Sequence, residues 1–278
     1  MAASVTCPLR TYGGPPFVAA VIHGGPGAGG EMAPVARELA PHVGVVEPIQ
    51  TATSLDGQVA ELLAVLEAHA QLPVALVGFS WGAWLSYILA ARHPAVVKKL
   101  ILVGSGPFEE AYVAQLHETR MRRLSEAERA EFESLIQALG DPASEDKDDL
   151  LARLGALASQ TDGYAPLADF SNDADLVGSR GDIFQQVWQE AAELRRSGRL
   201  LALGQHIRCP VVAIHGDYDP HPAEGVQQPL SAVLDDFRLI LLETCGHTPW
   251  IERDARDRFF NVLKQAVKGD GAHTQPVG

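Results

Sequence analysis

Val74-Ala-Leu-Val-Gly-Phe-Ser80-Trp-Gly-Ala-Trp-Leu-Ser-Tyr-Ile-Leu-Ala-Ala91 is the stretch on which the reading turns. An apolar run, Val74–Val77, meets Gly78-Phe79-Ser80-Trp81-Gly82 and passes into the apolar segment Ala83–Ala91. Strand, tight turn and helix in that order, with G-x-S-x-G at the turn, is the sequence form of a nucleophile elbow. Such a turn lifts a serine hydroxyl above the carboxyl end of its strand. It also brings the strand end against the helix start, so a Cβ at Gly78 or Gly82 would clash. Ser80 is the candidate nucleophile.

A serine hydroxyl needs a base, and the base needs an orienting acid. Behind such an elbow the chain order is serine, then Asp or Glu, then His. His247 lies in Leu239-Ile-Leu-Leu-Glu-Thr-Cys-Gly-His-Thr-Pro-Trp250, just past an apolar strand. That is the rim where the carboxyl ends of parallel strands converge, so His247 is the expected base. Pro210-Val-Val-Ala-Ile214 reads as a buried parallel strand, followed by His215-Gly-Asp-Tyr-Asp-Pro220. Asp217 and Asp219 are both candidates for the acid. Asp219 is preferred for its reach back over the sheet, and Asp217 is expected to stabilise the turn. His215 and His221 are expected to make local hydrogen bonds in the same turn.

A second Gly-rich loop, His23-Gly-Gly-Pro-Gly27, follows the apolar strand Val18–Ile22. Its spacing fits neither of the phosphate-binding glycine patterns. It fits an oxyanion hole, in which backbone N–H groups face a developing negative charge. Gly25 and Trp81 are the expected donors, with Gly24 as a second possibility. Phe79 and Trp250 are the expected pocket residues.

Six apolar runs read as strands near 17–22, 43–47, 74–79, 99–103, 210–215 and 237–242. Helical patterns fall near 31–40, 55–70, 81–93, 223–235 and 252–268; Leu55, Val59, Leu62, Leu63 and Leu66 make one apolar face. Alternating strands and helices predict an α/β fold, a mostly parallel sheet covered on both faces. The alternation breaks between Gly106 and Gln205. That stretch carries helical patterns near 108–120, 125–139, 147–158 and 183–197. It is expected to be a helical cap (106–205) set into a core formed by 1–105 and 206–278. It holds 19 Asp and Glu against 10 Lys and Arg, −9 of the net charge of −13. An acidic lid favouring cationic or neutral substrates is one expectation, a solvated face the other.

The net charge argues against nucleic acid, which calls for basic patches. No apolar run approaches a membrane span, and Met1–Arg10 lacks the pattern of a signal peptide. Cys7, Cys209 and Cys245 form no C-x-x-C pair or disulfide framework, which suits a cytoplasmic location. Cys245 reads as a packing residue despite its closeness to His247.

His23-Gly-Gly-Pro-Gly27, the Ser80-Trp81-Gly82 elbow, His93-Pro94 and Gly246-His247-Thr-Pro together resemble the α/β-hydrolase fold family. The branch they look most like includes the capped proline iminopeptidases. The resemblance implies a small-molecule substrate, no cofactor, no metal and an acyl enzyme on Ser80. It sets no oligomeric state. Serine at the elbow argues against the aspartate-nucleophile haloalkane and epoxide chemistries of this fold. Two departures stand out. Only 16 residues precede Phe17, room for one short strand where the family has a pair. Iminopeptidases hold the substrate amine with cap carboxylates, and Glu109, Glu110, Asp182 and Glu190 are available here without a motif to single them out. The leading expectation is therefore a serine hydrolase of a small ester, amide or related carbonyl compound. A proline-releasing aminopeptidase, a carbon–carbon bond hydrolase and a non-catalytic ligand-binding protein are the alternatives.

Overall fold

The computed structural model describes residues 7–268 apart from 142 and 172. In chain order its core opens with β1 (Leu9–Tyr12), β2 (Phe17–Ile22), α1 (Ala33–Leu39), β3 (Gly44–Pro48) and α2 (Leu55–His69). Then come β4 (Val74–Phe79), α3 (Trp81–Arg92) and β5 (Val97–Val103). Four long helices follow: α4 (Val113–Arg123), α5 (Glu126–Gly140), α6 (Lys147–Asp162) and α7 (Gly181–Arg196). The short α8 (Arg199–Ala202) leads back to β6 (Val211–Gly216), α9 (Glu224–Val233), β7 (Phe237–Leu242) and α10 (Arg256–Lys268).

The seven strands form one sheet in the order β1-β3-β2-β4-β5-β6-β7. Only β1 runs antiparallel, on β3, with Leu9 opposite Pro48 and Tyr12 opposite Val45. The short run before Phe17 thus supplies one edge strand. Consecutive strand residues point to opposite faces, so each parallel strand feeds two cores. In β4, Val74 and Leu76 face the α2–α3–α9 side, while Ala75, Val77 and Phe79 face α1 and α10. β2, β5 and β6 divide in the same way. Because both faces are covered, these strands are continuous apolar runs rather than alternating ones.

α2 begins at Ser54, whose side chain accepts the Gly57 N–H at 3.1 Å, an N-cap that satisfies one orphan donor. Its predicted apolar face is the one that packs: Leu55, Val59, Leu62 and Leu66 are buried, and Leu63 is half-buried beside them. Between β5 and β6 the described residues hold helices and one isolated bridge, Pro166 to Glu252. α4 starts five residues later than its pattern suggests, after a turn of 3-10 helix at Glu110–Tyr112. α5 and α6 pack on each other through a small apolar cluster of Leu124, Phe132, Leu135 and Leu157, separate from both main cores.

Candidate active site

Ser80 sits between β4 and α3 at φ 51°, ψ −114°, a conformation that L residues rarely adopt. Packing over-determines it. A Cβ at Gly78 would run into the carbonyl oxygen of Gly82, and one at Gly82 into the carbonyls of Ile22 and His23. The Ser80 N–H donates to Val103 O at 2.9 Å. The turn is therefore pinned to the neighbouring strand, and the clashes expected at both glycines are present.

His247 and Asp219 meet across 28 residues of chain, as Nδ1 of His247 lies 2.7 Å from Asp219 Oδ2. Ser80 and His247 line one cavity of about 680 Å³. Asp219 is also held by the other imidazole of its loop. Oδ1 accepts from the backbone N–H of His221 at 2.9 Å and lies 2.8 Å from His221 Nδ1. The His221 ring stacks on His247 at 4.5 Å between centroids. Burial alone would raise the Asp219 carboxyl, but the charges of His247, His221 and His215 hold it well below the usual carboxylate range. Burial pulls His247 down, yet the Asp219 charge and hydrogen bond outweigh it, so its pKa stands above the ordinary histidine value. For His221 burial wins, and its pKa falls to about 4. At neutral pH His221 is thus uncharged, and its Nδ1–H is donated to Asp219.

Asp217 does what a turn residue should: Oδ1 accepts the N–H of Cys245 at 3.1 Å, clamping the loop after β7. His215 is buried and its Nε2 lies 2.8 Å from His221 O. Cys245 is fully buried, and burial raises its thiol pKa, consistent with packing. His221 makes the local hydrogen bonds expected of it, to Asp219 two residues back, and it also lines the cavity. One spacing signal, the D-x-H of Asp219-Pro-His221, was available in the sequence.

Gly24 is ruled out as a free donor, because its N–H is donated to Glu31. The N–H groups of Gly25 and Trp81 carry no hydrogen bond among the described residues, and both residues line the cavity. Gly25 has φ 41°, which favours glycine there. Glu31 is a site residue that motif reasoning did not single out. Desolvation raises its pKa to about 7 despite the hydrogen bond from Gly24. Glu252, fully buried, is another. It accepts from the N–H of Gly246 at 3.0 Å, Tyr164 at 2.8 Å and Ala165 at 2.7 Å. The N–H of His247 donates to Asp162 O at 2.8 Å. The loop carrying His247 is therefore fastened to the residues that follow α6.

Phe79 lines the cavity and lies 4.8 Å from the His247 ring. Trp250 does not line it. Trp250 is a core residue, 1% exposed, edge-on to Phe79 at 4.7 Å; the 3-10 turn at Pro249–Ile251 aims it down into the sheet rather than at the rim. Trp188 takes the place at the wall, stacked parallel to Trp84 at 5.8 Å and to Phe184 at 6.0 Å.

The acidic residues available to hold a substrate amine do not face the cavity. Glu110 pairs with Arg195, Asp182 with Arg180, and Glu190 accepts the Leu55 N–H at the start of α2. None of these, nor Glu109, lines the cavity. Asp162 does, but Arg120 holds it through two hydrogen bonds of 2.9 and 2.6 Å. Asp219, His221 and His247 are the one group among the described residues with donor atoms close enough to share a cation. Both carboxylate oxygens are already engaged by imidazole nitrogens, so the group is a hydrogen-bonded cluster.

Comparison with known proteins agrees with this geometry. A family model described as alpha/beta hydrolase fold matches residues 26–254. The chain is 28% identical over 259 residues to the pimeloyl-[acyl-carrier protein] methyl ester esterase of Chromobacterium violaceum, covering 88% of this chain and 92% of that protein. Among solved structures, VinJ aligns with a TM-score of 0.68 at 17% identity over 94% of each chain. The proline iminopeptidase of Mycobacterium smegmatis aligns at 0.61 and 18%, over 94% of this chain and 93% of that one. At such identities the structural likeness speaks to the fold alone.

Proposed function

The chain belongs to the alpha/beta hydrolase fold family and is a hydrolase, and from that premise we propose that it cleaves a small carbonyl substrate, foremost an ester, through an acyl enzyme on Ser80. The observation that carries the reading is the 2.7 Å contact from His247 to a buried Asp219, opening onto the same cavity as the strained Ser80. His247 takes the Ser80 proton as the hydroxyl attacks the carbonyl carbon, then delivers it to the leaving alcohol. Asp219 fixes the tautomer with Nδ1–H inward, leaving Nε2 to face the serine, and stabilises the imidazolium. The N–H groups of Gly25 and Trp81 receive the oxyanion. Water then repeats the sequence, with His247 as its base, and frees the acid.

The ester preference draws on the methyl ester esterase, a relative at 28% identity. The aminopeptidase reading loses support, since Glu110, Asp182 and Glu190 are engaged elsewhere and Glu109 does not line the cavity. We assign residues 106–205 the role of a cap, because α5, α6 and α7 contribute much of the cavity wall. A cytoplasmic location also remains a proposal, supported by three free cysteines. No helix among the described residues is long and apolar enough to cross a membrane.

The test is labelling with a fluorophosphonate, read by intact mass and peptide mapping. A single adduct on Ser80, absent from Ser80→Ala, is expected. A folded protein that takes no label, or takes it elsewhere, would sink the assignment and favour a ligand-binding role.

A further inference from the structure

The charged groups around the cavity are spoken for. Arg120 and Asp162 hold each other through two hydrogen bonds, and Glu31 accepts from Gly24 with its pKa raised to about 7 by desolvation. An ionised substrate group buried here would find no free counter-charge, and burying an unpaired charge is strongly unfavourable. Ser159, Ser179, Gln185, Gln189 and Thr248 add uncharged polar groups to the wall, but its larger share is apolar. α5 contributes Phe132, Ile136 and Leu139, α6 contributes Leu151 and Leu154, and Trp188 of α7 stands opposite. Two of these large side chains are left bare: Ile136 is 47% exposed and Trp188 38%.

Gly155 sits in the middle of α6, where glycine is disfavoured relative to alanine. Nothing packs within 4 Å of the place where a Cβ would stand, so no close contact demands a glycine there. Yet Gly155 lines the cavity. Gly155 is exposed, and a side chain there would enter open space at the cavity's border, at a helix position where alanine would be favoured.

We propose that the substrate is an uncharged ester bearing an extended apolar chain, that this chain lies along the groove formed by α5, α6 and Trp188, and that Gly155 sets how long a chain is accepted. The inference rests on the hydrolase reading above and adds its substrate class. The bound chain covers Ile136 and Trp188, and each methylene taken from water strengthens binding until the groove is full.

The experiment begins with enzyme shown to carry a fluorophosphonate adduct on Ser80, so that failure of the hydrolase reading is recognised separately. kcat/KM is then measured on p-nitrophenyl esters from acetate to decanoate and on acetate esters of alcohols from methanol to decanol. The two arms distinguish a chain on the acyl side from one on the alcohol side. A rise of about fourfold per methylene is expected in one arm, from about 0.8 kcal/mol per buried methylene, ending in a plateau. An ω-carboxylate at the far end of the preferred chain should lower kcat/KM at least tenfold. In Gly155→Leu the decanoate-to-acetate ratio, or its alcohol counterpart, should fall at least tenfold while the melting temperature is maintained. Should that variant melt early, Gly155→Ala is the gentler replacement, with a smaller fall in the same ratio. Labelled enzyme with a flat profile in both arms, or a preference for the carboxylate-tipped ester, would overturn the substrate class. An unchanged length ratio in the Gly155 variants would overturn the role of that residue.

Discussion

Asp219→Asn isolates the chemistry of the proposed orienting acid, and the structure says which way the new amide must turn. The carboxylate of Asp219 is fully buried and accepts three hydrogen bonds. Two of them, the His221 backbone N–H at 2.9 Å and His221 Nδ1 at 2.8 Å, fall on Oδ1. The backbone donor cannot be reversed. If the asparagine NH₂ took that side, it would face a fixed N–H donor, an unsatisfied buried clash. The amide oxygen therefore goes to His221 and the NH₂ to His247. His247 must then accept at Nδ1 and carry its proton on Nε2, the nitrogen that should take the proton of Ser80. A wrong tautomer of this kind lowers kcat by about 10⁴-fold in the serine protease case, about 5.5 kcal/mol of barrier. The assay is kcat and kcat/KM on a p-nitrophenyl ester, beside circular dichroism and a thermal melt. The stability profile should change too. The folded pKa of Asp219 lies well below its unfolded value of 3.8. Its contribution is therefore present above about pH 4 and is lost as pH falls through the folded value, and Asp219→Asn should flatten that acid limb. A folded Asp219→Asn enzyme within tenfold of wild-type kcat would refute the tautomer argument.

Two further expectations concern pH. His221→Phe keeps a ring against His247 but removes the Nδ1–H that shares the Asp219 charge. The carboxylate should then act more strongly on His247, and the acid limb of kcat/KM should move to higher pH. Asp162, Arg120, Glu31 and His215 surround the same site and are left in place by this change. A limb that stays put or moves to lower pH would count against charge sharing. Glu31 has its pKa raised from 4.5 to about 7 by burial, so between those values the folded state holds more protons than the unfolded. Stability should accordingly fall as pH rises across that window. Glu31→Gln, which keeps an acceptor for the Gly24 N–H, should remove this slope in melts run from pH 4.5 to pH 7; an unchanged slope would assign it to other groups.

Much of the core was legible because its signals are local. Apolar runs of five to seven residues with glycine punctuation mark buried parallel strands, and the helical face of Leu55, Val59, Leu62 and Leu66 is the one that packs. The glycines around Ser80 announce a turn whose sterics can be worked out without coordinates, and the preference for Asp219 over Asp217 agrees with the partner each carboxylate has. The proposed cap, residues 106–205, was harder to read. Its helices are amphipathic, so their ends were found to within a few residues, but nothing in the spacing says which face meets the cavity.

The chain alone therefore pointed to Ser80, Asp219 and His247 as the proposed catalytic residues, because each lies just past the end of a strand whose local pattern is clear. Three things depended on tertiary structure. Trp250 turned into the core while Trp188 came to the wall, since a tryptophan is apolar in either place and only packing decides between them. The acidic candidates of residues 106–205 turned away from the cavity, Glu110 to Arg195, Asp182 to Arg180 and Glu190 to the Leu55 N–H, because partners brought close by folding decide where each carboxylate points. Glu31 and Glu252 became part of the site by accepting hydrogen bonds from backbone N–H groups. Such bonds depend on where the chain folds back, and leave no motif behind.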